Sequence, residues 1–130
     1  MSQENVEIIQ GSFVTWEATG EPAWDLLHDD VEVHDHDILD AGEYRRRAGV
    51  ERWLEDWGSA WSDFSLTPEE FIDAGERIVV VIRMRATGRG SNVEVERQDA
   101  IVYELRGGKI AGLDYYYNRE QALKAVGLEE

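Results

Sequence analysis

Arg97 and Asp99 stand on a strand face that is otherwise apolar. Over residues 93–105 the alternate positions read Val93, Val95, Arg97, Asp99, Ile101, Tyr103 and Leu105, so two ionisable side chains interrupt a hydrophobic row. An ionised group among aliphatic neighbours is costly unless it is paired or changes its protonation state. Two chemistries meet that condition: Asp99 is half of an internal salt bridge with Arg97, or it is a carboxyl group fitted for proton transfer. A second carboxylate follows the same pattern. Val31, Val33 and Asp35 share one face of a short strand, and Asp35 lies at its end, where solvent or a turn would also satisfy it. Tyr103, Tyr115 and Tyr117 either fill the core with their hydroxyls at its rim or line a cavity. Two carboxylates, an arginine and several aromatics together describe a cavity with a few polar groups.

Other polar clusters carry less chemistry. The run His34-Asp35-His36-Asp37, with His28 nearby, puts two imidazoles on one strand face beside Glu32, a donor set that one ion could use. Its spacing is not a specific metal motif and the face reads as solvated, so no metal is assigned. Arg45-Arg46-Arg47 is the basic cluster of the chain. It reads as a solvated helix entrance, since cations are disfavoured at a helix N-terminus. The 13 Lys and Arg against 28 Asp and Glu leave a net charge of -15, which disfavours nucleic-acid backbones and anionic membranes as partners and favours a neutral or cationic ligand. Without cysteine there is neither a disulfide framework nor a thiolate metal site. The polar start Ser2-Gln3-Glu4-Asn5 does not read as a signal peptide, and no apolar run reaches membrane-spanning length. The expectation is a cytoplasmic protein.

The elements that position these residues follow from periodicity. The 130 residues read as one domain, 1–130, with one hydrophobic core. Val6, Ile9, Phe13 and Trp16 mark a first helix, with Ser2 as N-cap and Gly20 as its end. Pro22, Trp24 and Leu27 predict a short second helix, followed by a strand from Val31 to about His36 and a loop through Gly42. Val50, Trp53, Leu54, Trp57 and Trp61 mark one face of a third helix. Strands are then expected over Phe64–Asp73, Arg77–Thr87, Val93–Leu105 and Lys109–Tyr117, joined by glycine-containing links short enough for an antiparallel meander. Pro68 predicts a bulge or an edge. Asn118 caps a short closing helix that stops at Gly127. Helices followed by a run of strands give an α+β fold, a curved antiparallel sheet wrapped against helices.

The order of these elements, together with Val31-Glu32-Val33-His34-Asp35, Tyr44-Arg45-Arg46-Arg47-Ala48-Gly49-Val50, Gly107-Gly108-Lys109-Ile110 and Asn118-Arg119-Glu120, resembles the SnoaL-like group of the nuclear transport factor 2-like, ketosteroid isomerase-like superfamily. The resemblance spans residues 4 to 127. It implies a cone-shaped, cystatin-like α+β barrel around an apolar pocket, commonly a homodimer, and it covers isomerases, cyclases, dehydratases, epoxide hydrolases and binding proteins alike. Ketosteroid isomerases pair an aspartate base with a tyrosine and a protonated aspartate, a system that also serves as a general example of carboxyl tuning. By that likeness Asp35 resembles the base and Asp99 the oxyanion donor, while Phe13 stands where the tyrosine is expected. Polyketide cyclases of the group use a histidine and an aspartate, where this chain has Ile101 and Tyr115. The resemblance thus implies a cofactor-independent isomerase- or cyclase-type enzyme for a small apolar carbonyl compound. Asp35 and Asp99 would move the proton, and Tyr103 or Tyr115 would add a hydrogen bond. The alternative is a non-catalytic binding protein with the same pocket, lined by Phe13, Trp24, Trp53, Trp57, Ile101 and Tyr117, in which Arg97 and Asp99 orient the ligand.

Overall fold

Val6, Ile9, Phe13 and Trp16 fall on one side of helix α1 (Ser2–Thr19), and the helix turns that side inward, so that Ile9 has no exposed surface. The computed structural model describes residues 2–36 and 44–128. Asp37 and the loop through Gly42 lie outside the described residues. Gly20 ends α1 in the left-handed region at φ +73°, a conformation that costs glycine little. The expected second helix is a single 3-10 turn, Trp24–Leu26. Leu27 instead opens strand β1 (Leu27–Asp35), because it already pairs with Ile110 on a neighbouring strand ahead of an irregularity that ends at Glu32.

After the short strand β2 (Tyr44–Arg45), helix α2 spans Arg46–Ala60. Val50, Trp53 and Trp57 are its buried stripe. Gly49 lets the first turn of α2 sit on β2: a Cβ there would lie 2.6 Å from the carbonyl carbon of Tyr44. Trp61, expected on the helix face, has extended backbone and opens β3 (Trp61–Ala74), where it pairs with Gly88. Tertiary strand pairing overrides a helical spacing that is otherwise continuous.

Strands β4 (Arg77–Gly88), β5 (Glu94–Arg106) and β6 (Lys109–Tyr116) complete a curved, unclosed six-stranded sheet of order β2-β1-β6-β5-β4-β3. The β3 to β6 run is the expected antiparallel meander, and β1 pairs with β6 in parallel. No hairpin links β1 to β6, so nothing local forces their directions to oppose. Pro68 lies on the edge strand β3, and the register shifts between Pro68 and Glu70.

The inner face of the sheet carries Val31, Val33, Ile78, Val80, Ile82, Met84, Ile101, Tyr103, Leu105 and Tyr115, packed under the two long helices. Burying a side chain such as Ile82 or Met84, both fully enclosed, contributes roughly 1.5–3 kcal/mol. A second cluster, Val79, Ala100, Val102 and Ala122, holds helix α3 (Arg119–Ala125) on the outer face. Asn118 caps α3 by accepting from the Gln121 N–H at 2.8 Å. No helix among the described residues is long and apolar enough to cross a membrane.

Candidate functional site

The parallel pairing of β1 with β6 sets Asp35 opposite Tyr115, and β5 sets Ile101 opposite Tyr115 from the other side. Asp99 lies two positions before Ile101 on the same face. The two carboxylates therefore flank one tyrosine. Asp35 is 5% exposed and Asp99 0%, so each must be met by protein donors.

Helix α2 supplies the donors for Asp35. Trp53 and Trp57 are four residues apart and project from one side of the helix. Both indole N–H groups donate to Asp35 Oδ2, at 2.9 and 3.2 Å. The stripe that reads as ordinary core thus also caps a buried carboxylate.

Asp99 is met by its own sheet. Its Oδ1 accepts from Arg97 Nε at 2.7 Å, and its Oδ2 accepts from the Tyr115 hydroxyl at 2.5 Å. Burial alone would lower the Arg97 pKa, but the hydrogen bond to Asp99 and its charge raise it, so the guanidinium stays a cation. The Arg97 guanidinium also lies 4.0 Å above the Tyr117 ring. Burial, and then the neighbouring charge of Asp99, push the Tyr115 hydroxyl far above the ordinary phenol range, which keeps its proton in place to donate. Arg97 turns toward Asp99, and both oxygens of Asp99 act as acceptors. An oxyanion donor at this position would need a proton that this geometry assigns to Tyr115.

In front of these groups is a mostly apolar pocket of about 100 Å³ between the helices and the sheet. Phe13, Trp53, Trp57, Ile101, Tyr103 and Tyr115 line it, with Trp16, Leu27, Val31, Val33, Val50, Phe64 and Leu66. Asp35, Asp99, Arg97 and Tyr117 are not among the lining residues: Asp35 sits behind the two indoles and Asp99 behind Tyr115. Trp24 does not line it either. It stacks under the Arg47 guanidinium, 4.2 Å from its ring centroid, on the 3-10 turn that replaces the expected helix.

The buried polar tips on the wall are mostly taken. The Trp53, Trp57 and Tyr115 donors all point to carboxylates. Tyr103 differs: it is 6% exposed and no described residue hydrogen-bonds its hydroxyl. Burial raises its pKa beyond the usual phenol range, so it faces the cavity as a neutral donor. Its ring is fixed by an edge contact with Phe13, 6.2 Å between centroids. Trp16, Phe64 and Leu66 are lining residues that the sequence placed in elements without assigning them to a pocket. The spacing of Phe13 and Trp16 on one face of α1 was the available signal for the first of these.

The histidine face lies apart from the cavity. His36 Nε2 is 2.7 Å from Asp114 Oδ1, and its ring stacks on Tyr116 at 4.4 Å.

Compared with protein families, residues 11–113 match the SnoaL-like domain. The chain belongs to the SnoaL-like family. Solved structures agree on the nuclear transport factor 2-like architecture of this SnoaL-like chain. A nuclear transport factor 2-like protein of unknown function from Burkholderia pseudomallei is 19% identical, with a TM-score of 0.79 over 95% of this chain and 98% of that one. TerC, crystallised with polyporic acid, is 20% identical, with a TM-score of 0.78 over the same shares, 95% and 98%. A protein with a ketosteroid isomerase-like fold from Catenulispora acidiphila, in complex with trimethylamine, is 20% identical, with a TM-score of 0.73 over 94% and 93%. At these identities the likeness establishes the fold. No curated protein matches the sequence.

Proposed function

We propose that this SnoaL-like protein binds a small, neutral, mostly apolar molecule that carries one hydrogen-bond acceptor, such as a ketone, and holds that acceptor on the Tyr103 hydroxyl. The observation that carries this reading is the unpartnered Tyr103 hydroxyl on the wall of an apolar cavity. A few polar groups on an otherwise apolar wall fix a ligand's orientation, and a hydroxyl that no protein group engages is free to do so. A charged ligand fits poorly, because the wall offers it no counter-charge: Arg97, Asp35 and Asp99 are turned to one another's elements and away from the space. Two proteins of this fold were crystallised with small organic molecules, polyporic acid and trimethylamine.

An isomerase- or cyclase-type reaction on the same ketone needs a carboxylate at the reacting carbon. Both aspartates stand behind the aromatic wall, which favours the binding role over proton transfer. Cyclopentanone, followed by tryptophan fluorescence from Trp53 and Trp57, tests the reading. Replacing Tyr103 with phenylalanine weakens cyclopentanone by roughly fivefold, the value of one net hydrogen bond, and leaves cyclopentane unaffected. Equal loss for both ligands, or for neither, refutes the assignment of Tyr103. Exchange of the α-protons of the ketone for deuterium that stops in Asp35→Asn would replace the binding role with the enzymatic one.

A further inference from the structure

The sheet order puts β3 at one edge, with β4 on one side and no described strand on the other. An unpaired edge offers a row of backbone N–H and C=O groups to any extended chain, so folds usually blunt their edges. At the opposite edge β2 has only two residues. On β3 the blunting is confined to the second half, where Pro68 and the irregularity between Pro68 and Glu70 interrupt the ladder. The first half carries no proline, and an open groove of about 550 Å³ lies along it. All of residues 61–67 line this groove, together with Trp16, Glu17, Gly58 and Arg89. Consecutive strand residues face opposite sides of a sheet. A groove that touches every one of them therefore follows the backbone edge and not one face alone.

The two faces beside this edge differ. On the inner side are Phe64 and Leu66, which also line the apolar pocket, with the Trp16 ring 6.1 Å from that of Phe64. On the outer side are Asp63 and Ser65, on a surface shared with Arg85, Thr87, Glu94 and Glu96. The cations here are engaged. Arg85 Nε is 3.3 Å from Glu96, Arg83 Nε is 3.4 Å from Glu69, and Arg89 donates to the Gly58 carbonyl at 2.9 Å. No described cation pairs with Glu17 or Asp63. Strand β3 carries Asp63, Glu69, Glu70 and Asp73 and neither lysine nor arginine. A second copy paired on this edge would set these acids side by side, where like charges opposed across strands are destabilising. The net charge of -15 on each copy adds to that repulsion.

We propose that residues 61–67 of β3 take an extended, basic segment of another protein as an added strand. Its lysine or arginine side chains alternate onto the outer, acidic side, and its intervening apolar side chains lie against Trp16, Phe64 and Leu66. Backbone pairing along the edge supplies affinity, and the two unlike faces select the sequence. Tyr103 does not line the groove, so this surface serves a function separate from the binding role above.

Fluorescence anisotropy with a labelled heptapeptide of alternating lysine and valine, blocked at both ends, tests the edge on the full chain. The peptide binds saturably, and Asp63→Asn weakens it by about fivefold, the value of one exposed ion pair. The same peptide with glutamate in place of lysine does not bind. N-methylation reads the backbone. The lysine amides and the valine amides point to opposite edges of an extended peptide, so methylating one set lowers affinity at least tenfold and methylating the other leaves it unchanged. Equal effects of the two methylations, or equal binding by the glutamate peptide, overturn recognition by strand addition. Sedimentation velocity reads the other occupant: a dimer of the chain that dissociates as the peptide binds gives the edge to a second copy and overturns the basic partner. Absence of saturable binding by the lysine-valine peptide also overturns the proposal, while cyclopentanone binding at Tyr103 is judged by its own measurement.

Discussion

Replacing Arg97 with methionine removes the cation and keeps most of the side-chain length. The carboxylate left behind is 0% exposed and retains only the Tyr115 hydroxyl of the two donors now on its oxygens. Breaking a buried ion pair by removing one partner costs roughly 3–5 kcal/mol, because the remaining charge has neither counter-ion nor water. The Arg97 side chain keeps 27% exposure, so solvent screens its half of the pair and the lower end applies, about 3 kcal/mol. Against a total stability of about 5–15 kcal/mol this is a large fraction, and it lowers Tm by on the order of 10 °C for a chain of this size. Urea unfolding followed by tryptophan fluorescence measures it. The neutral isostere supplies the second leg of the cycle: in Arg97→Met with Asp99→Asn the stranded charge is gone, and at least about 1 kcal/mol returns. A single replacement that costs under about 1 kcal/mol, the value of an exposed pair, with a double replacement no better, refutes the placement of Asp99 in a sealed site.

Gly49→Ala is expected to cost at least about 1–3 kcal/mol, since the added carbon meets the Tyr44 backbone 2.6 Å away and a backbone atom cannot rotate aside; thermal unfolding measures it, and a neutral effect would contradict the close seating of α2 on β2. Trp57→Phe withdraws one of the indole donors on Asp35 and is expected to cost about 1–3 kcal/mol in urea unfolding. Alkaline pH should unfold the protein. Burial and the Asp56 hydrogen bond push Tyr44 up from 10.0 to about 12, and burial raises Tyr103 and Tyr115 as well. Each phenol is held protonated in the folded state. The Tyr44 contribution is therefore complete below about pH 10 and is lost as pH rises through about 12, and the loss from Tyr103 and Tyr115 begins in the same range and continues above it. Circular dichroism and phenolate absorbance should change together, and phenolate signal from all tyrosines in a still-folded chain would contradict the burial.

The most local features were the most legible. Arg97 and Asp99 are two apart on one strand, so period-two alternation was enough to place them on one face, and the structure pairs them directly. Helix α1, the β3 to β6 meander and the Asn118 cap follow from signals within a few residues. The parallel β1–β6 pairing was not legible, because it joins strands separated by the rest of the sheet, and periodicity carries no information about partners so distant. That one pairing places Asp35 beside Tyr115. Trp61 was misread for a related reason: its spacing continues the α2 stripe, and only the partner Gly88 on β4 makes it a strand residue. Trp24 continued the apolar pattern yet stacks under Arg47, a contact across two elements that neither segment announces.

The same non-local pairings decide what the aspartates can do. A carboxylate on an apolar face has the composition of an active site whether it points into a cavity or is sealed behind it. The difference lies in where its donors come from. Asp35 draws both indole donors from α2, across the cavity wall; Asp99 draws its donors from β5 and β6, along the sheet. Each set of bonds uses a wall residue as the donor, so the hydrogen bonds that satisfy the acids also pull Trp53, Trp57 and Tyr115 into fixed positions around the space. Aromatic rings held in this way leave a rigid apolar wall, and Tyr103, on the same strand as Asp99 but without a carboxylate in reach, is left to meet whatever enters.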